Sequence, residues 1–290
     1  MLKQLLLSLR PKQWTKNILV FAGIIFSINL LHPVLLLRVS AGFVLFCALT
    51  GAMYLFNDIT DLRQDRLHPL KSKRPLASGR LPVPVALWSA VFLTVCGCAI
   101  GFILDAGFGL VAVSYVCITL AYSLFLKHVA ILDLITIAIG FVLRAAAGAA
   151  IIHVTISSWL LICTIFLALF LTMGKRRHEL VLLGKRARSH RPILEEYSTH
   201  LLDQMIAVVT ASTVMAYTLY TTAPETVEKF GTRNLVFTTP FVLYGIFRYL
   251  YLMHQKNMGG SPEQILLRDK PLLVNLFLYF VVTSVILYFK

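Results

Sequence analysis

Apolar stretches of about 20 residues, the length that crosses a bilayer as an α-helix, recur along the whole chain near residues 18–37, 39–57, 84–104, 108–126, 129–152, 157–174, 204–223, 234–253 and 271–289. Polar residues collect in the short segments between them. The pattern predicts an all-α integral membrane protein, a bundle of nine transmembrane helices with its two termini on opposite sides. Residues 1–16 break the rhythm. Their apolar run is interrupted by Arg10, Pro11 and Lys12, so they read as a short amphipathic helix in the membrane interface, anchored by Trp14, and not as a cleavable leader. No linker rich in Ser, Gly or Pro and no low-complexity tract interrupts the chain, which reads as one domain over residues 1–290.

Composition agrees with the pattern. The chain is 58% hydrophobic and only 14% charged, with a mean hydropathy of +0.79, against roughly 25% charged in a soluble domain. Its net charge of +14 is distributed unevenly: with the N-terminus inside, 21 of the 27 Lys and Arg fall in cytoplasmic segments, four fall outside, and Arg144 and Arg248 lie within spans. The positive-inside bias then predicts a multi-pass protein of a bacterial-type plasma membrane, N-terminus in the cytoplasm. Because the basic residues spread over five segments and this bias accounts for them, nucleic acid is not an expected partner. Anionic lipids or phosphates are. The five cysteines all fall in predicted spans without a Cys-x-x-Cys pair, which excludes a disulfide framework or a zinc site of that type.

The chemistry concentrates in two polar segments, 58–83 and 175–203, expected on the same cytoplasmic side. The first opens with Asn57-Asp58-x-x-Asp61-x-x-x-Asp65, holding three of the chain's 13 acids. On a helix these aspartates share one face, so their carboxylates are expected to converge at the membrane surface. That donor set suits Mg²⁺, a hard cation that takes a few carboxylates and completes its shell with water and phosphate oxygens. Lys71, Lys73 and Arg74 follow directly and would bind the rest of a diphosphate. The plainer alternative is a solvated loop whose acids balance nearby positive charge.

The second segment begins Gly174-Lys175-Arg176-Arg177-His178-Glu179 and is cationic where the first is acidic. If the helices close into a ring, the two segments form opposite walls of one cavity. Lys175 and Arg176 would then hold a second anionic group, while Lys185 to Arg191 would enforce topology. Arg144, near the middle of the fifth span, costs about 2.5–3.5 kcal/mol to insert and must face the interior. Asp133 precedes it by three helical turns, roughly 16 Å, so the two would line one cavity at different depths. Otherwise Arg144 ties neighbouring helix carbonyls together.

The acidic motif at the end of the second span of a nine-helix chain resembles the UbiA superfamily of intramembrane prenyltransferases. The resemblance implies a helical bundle around a central cavity, with Mg²⁺-bound diphosphate at the cytoplasmic mouth. It is nearer to the polyprenyl-phosphate phosphoribosyltransferase branch in Arg10-Pro11-Lys12-Gln13-Trp14-Thr15-Lys16-Asn17, in Lys73-Arg74-Pro75, in Leu132-Asp133 with Gly140 to Arg144, and in Gly174-Lys175-Arg176. The superfamily's usual second aspartate motif, after the sixth span, is missing.

On that resemblance the expected activity is Mg²⁺-dependent transfer of 5-phosphoribose from phosphoribosyl diphosphate (PRPP) to a decaprenyl-type polyprenyl phosphate. Asn57, Asp58, Asp61 and Asp65 would hold the metal, and Asp58, Asp61, Asp65 and Lys16 would be the catalytic set. Lys12, Lys16, Asn17, Asn57, Lys71, Lys73, Arg74, Tyr122, Asp133, Arg144, Lys175 and Arg176 would contact substrate. Self-association into a homo-oligomer is also implied. Two competing functions keep part of this pattern: a prenyltransferase moving a prenyl group from its diphosphate to an aromatic acceptor, and a cation-selecting transporter or lipid-binding protein.

Overall fold

The computed structural model describes residues 1–290 except 68, 184–191, 257, 261–264, 266–267 and 289–290. Lys185, Arg186, Arg188 and Arg191 therefore lie outside the described residues. The described chain is helical: α1 (Leu2–Ser8), a 3₁₀ helix (Pro11–Phe21), α2 (Ala22–Phe26), α3 (Pro33–Thr60), α4 (Leu62–Leu67), α5 (Val83–Leu104), α6 (Ala106–Leu124), α7 (Leu132–Ala150), α8 (Ser158–Leu183), α9 (Thr199–Thr222), α10 (Pro224–Phe230), α11 (Thr239–Gln255) and α12 (Lys270–Tyr288). Among the described residues eight helices are long and apolar enough to cross a membrane, namely α3, α5, α6, α7, α8, α9, α11 with the 3₁₀ turn before it, and α12.

The expected first span, residues 18–37, is not one continuous helix, and the count of nine is not met by long helices. Ile28 takes a left-handed backbone (φ 59°), and Asn29 bonds the Ser27 hydroxyl at 2.9 Å. Pro33, which has no N–H and suits only a helix start, then opens α3 in the first turn. Residues 33–37, assigned to the first span, thus belong to the 28-residue α3. The interfacial helix expected over 1–16 is likewise cut short. It ends at Ser8, and Arg10, at φ 53°, turns the chain into the 3₁₀ helix.

That 3₁₀ helix is 11 residues long, whereas such runs seldom exceed three or four, so packing must hold it. It runs antiparallel to α3: Arg10 bonds Asp58, Asn17 bonds Cys47, and the Phe21 and Phe43 rings are 5.5 Å apart. Against α7 it lies backbone to backbone, because a methyl group on Gly148 would overlap the Val20 carbonyl.

Two compact units divide the chain, one made essentially of residues 1–156 and the other of 157–183 and 194–288. In the first, Phe46, Phe108, Tyr115, Val20 and Ile151 form the buried core. Phe46 meets Phe108 edge-on at 5.8 Å. In the second, the Tyr217 hydroxyl lies 2.7 Å from Thr238 and 3.0 Å from the Tyr279 hydroxyl, tying α9 to α12. Arg248 of α11 grips Asp269 through two bonds, at 3.1 and 2.8 Å. These bonds hold the Asp269 carboxyl below the usual carboxylate range.

Candidate active site

The acidic motif straddles a break between helices. α3 ends at Thr60, Asp61 caps it, and α4 begins at Leu62. The Asp65 amide bonds the Asp61 carbonyl at 2.8 Å, so the helical path almost continues. Asp58 and Asp65 stay on one face and are 2% and 3% exposed. Their burial as charged groups would cost several kcal/mol each without partners, and the structure supplies them. Arg74 Nη1 donates to Asp58 at 3.0 Å and to Asp65 at 2.5 Å. Arg10 also donates to Asp58, with its guanidinium 4.6 Å over the Tyr54 ring.

Asp61 does not join them. Sitting at the helix break, it turns to Lys127 Nζ at 2.5 Å and to the Asn57 amide at 3.0 Å. The single point of convergence expected for all three aspartates is therefore corrected to a pair with a neighbour.

Arg74 reaches the pair because its loop is anchored by hydrophobic side chains. Leu76 and Leu81, 2% and 1% exposed, pack with Leu55 and Ala86, and Leu5, Leu9 and Leu62 close over them. Arg80 donates to the Lys73 carbonyl at 2.5 Å, and Gly79 provides the left-handed turn (φ 76°). Lys71 is partly exposed and Lys73 exposed on the same loop.

Arg10 and Lys127 are not among the expected site residues: Arg10 stands in the N-terminal stretch that carries the resemblance but is given no role there, and Lys127 counts only as a topology charge. Lys127 stands alone in the short turn between two spans, and only 9% of it is exposed. A lysine so placed must meet an acid, which was the available clue.

The donor set decides whether a divalent metal fits. Asp58 and Asp65 both reach one positively charged nitrogen, so a cation already stands between two buried, convergent carboxylates. Such oxygens are those Mg²⁺ takes. Among the described residues, no three His, Cys, Asp or Glu side chains stand close enough to form a metal group. The fit is that of a two-carboxylate site, Asp58 and Asp65, with Asp61 and Asn57 alongside.

Other expected contacts separate by depth. Lys12 is exposed and Lys16 partly exposed along the 3₁₀ helix. Asn17, fully buried, donates to Cys47 Sγ at 3.3 Å and accepts from Arg144 Nε at 2.8 Å and the Thr50 hydroxyl at 3.3 Å. Arg144, 6% exposed, also donates to the Gly140 carbonyl at 2.6 Å and the Tyr115 hydroxyl at 2.9 Å. Both residues were expected to contact substrate; instead each is enclosed, with its polar atoms committed to protein. Tyr122 is partly exposed near the end of α6, and Asp133 is buried in the first turn of α7.

In the second unit, α8 runs straight through residues 175–183, so the expected cytoplasmic segment starts as helix. Lys175 is exposed there. Arg176 is buried and bonds Glu179 at 3.1 Å, while Arg177 forks onto Asp203 at 2.5 and 3.3 Å.

The model of the UbiA prenyltransferase family matches residues 17–268. The decaprenyl-phosphate phosphoribosyltransferase of Mycolicibacterium smegmatis is 32% identical, over 96% of this chain and 90% of its own length. That of Mycobacterium tuberculosis H37Rv is 34% identical, over 91% of this chain and 88% of its length. Among solved structures, a UbiA homolog from Archaeoglobus fulgidus bound to GPP and Mg²⁺ superimposes with a TM-score of 0.72 over 98% of this chain and 99% of that one. At 20% identity that likeness speaks for the fold.

Proposed function

The chain belongs to the UbiA prenyltransferase family, and from that premise we propose that it transfers 5-phosphoribose from PRPP to a polyprenyl phosphate, releasing diphosphate. The observation that carries this reading is the buried pair Asp58 and Asp65 on one guanidinium nitrogen of Arg74, in a chain about one-third identical to decaprenyl-phosphate phosphoribosyltransferases.

Asp58 and Asp65 would hold Mg²⁺, with Asp61 and Asn57 beside them, and the metal would supply Lewis-acid stabilisation of the leaving diphosphate. Arg74 and Arg10 now neutralise the carboxylates. On substrate binding they would turn to diphosphate oxygens, where a guanidinium can bond in two places at once. The exchange keeps the buried charge balanced, since each acid changes partner without losing one. Lys127 would do the same from Asp61. Lys71, Lys73, Lys12 and Lys16 line the loop and the 3₁₀ helix and would hold outlying phosphate oxygens. Tyr122 and Asp133 are assigned to the ribose.

In the reaction the anomeric C–O bond to diphosphate breaks with its electron pair leaving on diphosphate, and a C–O bond to the lipid phosphate forms. The attacking oxygen is already ionised, so no general base is required. Rate enhancement comes from positioning and from electrostatic stabilisation of charge as it develops. The acidic second motif that a prenyl diphosphate donor would use is replaced by Lys175-Arg176-Arg177, which favours a substrate pair with an extra phosphate.

The test is incorporation of labelled ribose phosphate from PRPP into an organic-extractable lipid by the purified protein. Labelling that needs Mg²⁺ and is lost on Asp58→Ala is the expected result. Absence of labelling with several polyprenyl phosphates on offer, by protein that transfers a prenyl group to an aromatic acceptor, would replace this reading.

A further inference from the structure

Arg144 is a cation enclosed within a membrane-spanning helix, and among the described residues it forms no ion pair. Its Nε, Nη1 and Nη2 bond neutral acceptors on three elements: Asn17 on the 3₁₀ helix, Gly140 on α7 itself, and Tyr115 on α6. The Tyr115 and Phe141 rings lie 4.9 and 5.3 Å from its guanidinium carbon. Asn17 completes the junction by joining Thr50 and Cys47 of α3. Arg144 and Asn17 together thus fasten the 3₁₀ helix to α3, α6 and α7 at its middle.

Depth separates this junction from the acids. Thr50 precedes Asp58 by eight residues of α-helix, about 12 Å, and Asn17 follows Arg10 by seven residues of 3₁₀ helix, about 14 Å. The two paths agree. Arg144 is too deep to share a diphosphate held at Asp58, yet through Asn17 it bonds the 3₁₀ helix, which carries Lys12 and Lys16 and begins beside Arg10 at those acids. An 11-residue 3₁₀ helix has weak hydrogen-bond geometry of its own, so its register must be imposed from outside.

We propose that Arg144 is a positioning residue and not a substrate ligand: through Asn17 it sets the register of the 3₁₀ helix and thereby places Arg10 at the Asp58–Asp65 pair. This rests on the phosphoribosyl-transfer reading for its kinetic consequences, but not for its structural ones. The anchor is uncharged at Asn17, so the positive charge is dispensable so long as the bond is kept.

Arg144→Lys cannot reach three acceptors at once, and adding Asn17→Asp gives the shortened cation a strong partner at the same junction. The proposal expects folded Arg144→Lys protein with the KM for PRPP raised roughly 10- to 100-fold, the cost of misplacing groups by about 1 Å, and the KM for lipid unchanged. The double variant returns the PRPP KM most of the way. Trypsin, which needs no substrate, should cut after Lys16 faster in Arg144→Lys than in the parent or the double variant. If Arg144 instead held a substrate phosphate, the added carboxylate would worsen the single variant, and that result overturns the proposal. So would an Arg144→Lys protein with parental kinetics and parental cleavage. Failure of the parent protein to transfer ribose phosphate would count against the reaction, while the cleavage rates would still decide the anchor.

Discussion

Replacing Arg74 by Met removes the cation shared by two buried carboxylates. Truncating one partner of a buried ion pair typically costs about 3–5 kcal/mol. The lower end applies here, because the Arg74 side chain is 26% exposed and Arg10 still covers Asp58. A loss of about 3 kcal/mol lowers the melting temperature by roughly 5 °C in a chain of this size. Asp65 is left without the one partner it has in common with Asp58. If Arg74 stands where a metal ion would sit, Mg²⁺ should replace the missing charge. Thermal unfolding in detergent, with EDTA and then with increasing Mg²⁺, measures this directly. The Met variant should be the less stable protein in EDTA and should gain more from Mg²⁺ than the parent, at lower concentration. Equal Mg²⁺ stabilisation of the two proteins would show that the carboxylate pair does not receive the metal, and the two-carboxylate site would have to be abandoned.

Three further outcomes follow from other contacts. Lys127→Met frees Asp61 of its cation and should lower kcat/KM for PRPP by about tenfold or more, a lost charge-assisted bond, with the lipid KM unchanged in steady-state assays. Gly148→Ala forces a methyl group into the Val20 carbonyl and should cost several kcal/mol, read as a collapsed yield of monodisperse protein, whereas Gly79→Ala, in open space at the loop, should cost only its backbone strain. The Asp269 carboxyl is held low by Arg248, so its contribution to stability is complete above the ordinary carboxylate value of about 3.9 and is lost as pH falls through the lowered one. Acid-melting curves of Asp269→Asn should therefore run parallel to the parent above pH of about 5 and approach it only below about 4.

The periodic spans and the aspartate motif were readable because each depends on residues close in sequence. Length and hydropathy locate α5 to α9, α11 and α12 almost without structure, and helical spacing brings Asp58 and Asp65 to one face. Asp61 escaped because the chain leaves helical geometry at that residue and its partner, Lys127, lies far along the chain. The break in the first apolar stretch was foreshadowed by Asn29 and Pro33, but a window of mean hydropathy averages over them. Arg144 shows another limit. Its charge marked it as interior, yet only the fold reveals that its donors end on Asn17, Tyr115 and a carbonyl. Membership in the UbiA prenyltransferase family was legible from the motif in its helical setting, and the family match agrees over residues 17–268.

The central claim is the identity of the transferred group. Purified protein should be offered labelled PRPP and labelled geranyl diphosphate together, with a polyprenyl phosphate and an aromatic acceptor, in Mg²⁺, and the extracted products identified by mass. The account predicts a polyprenyl phosphate heavier by one ribose phosphate, formed one for one with diphosphate, and no prenylated aromatic. Prenyl transfer with PRPP left intact would contradict it.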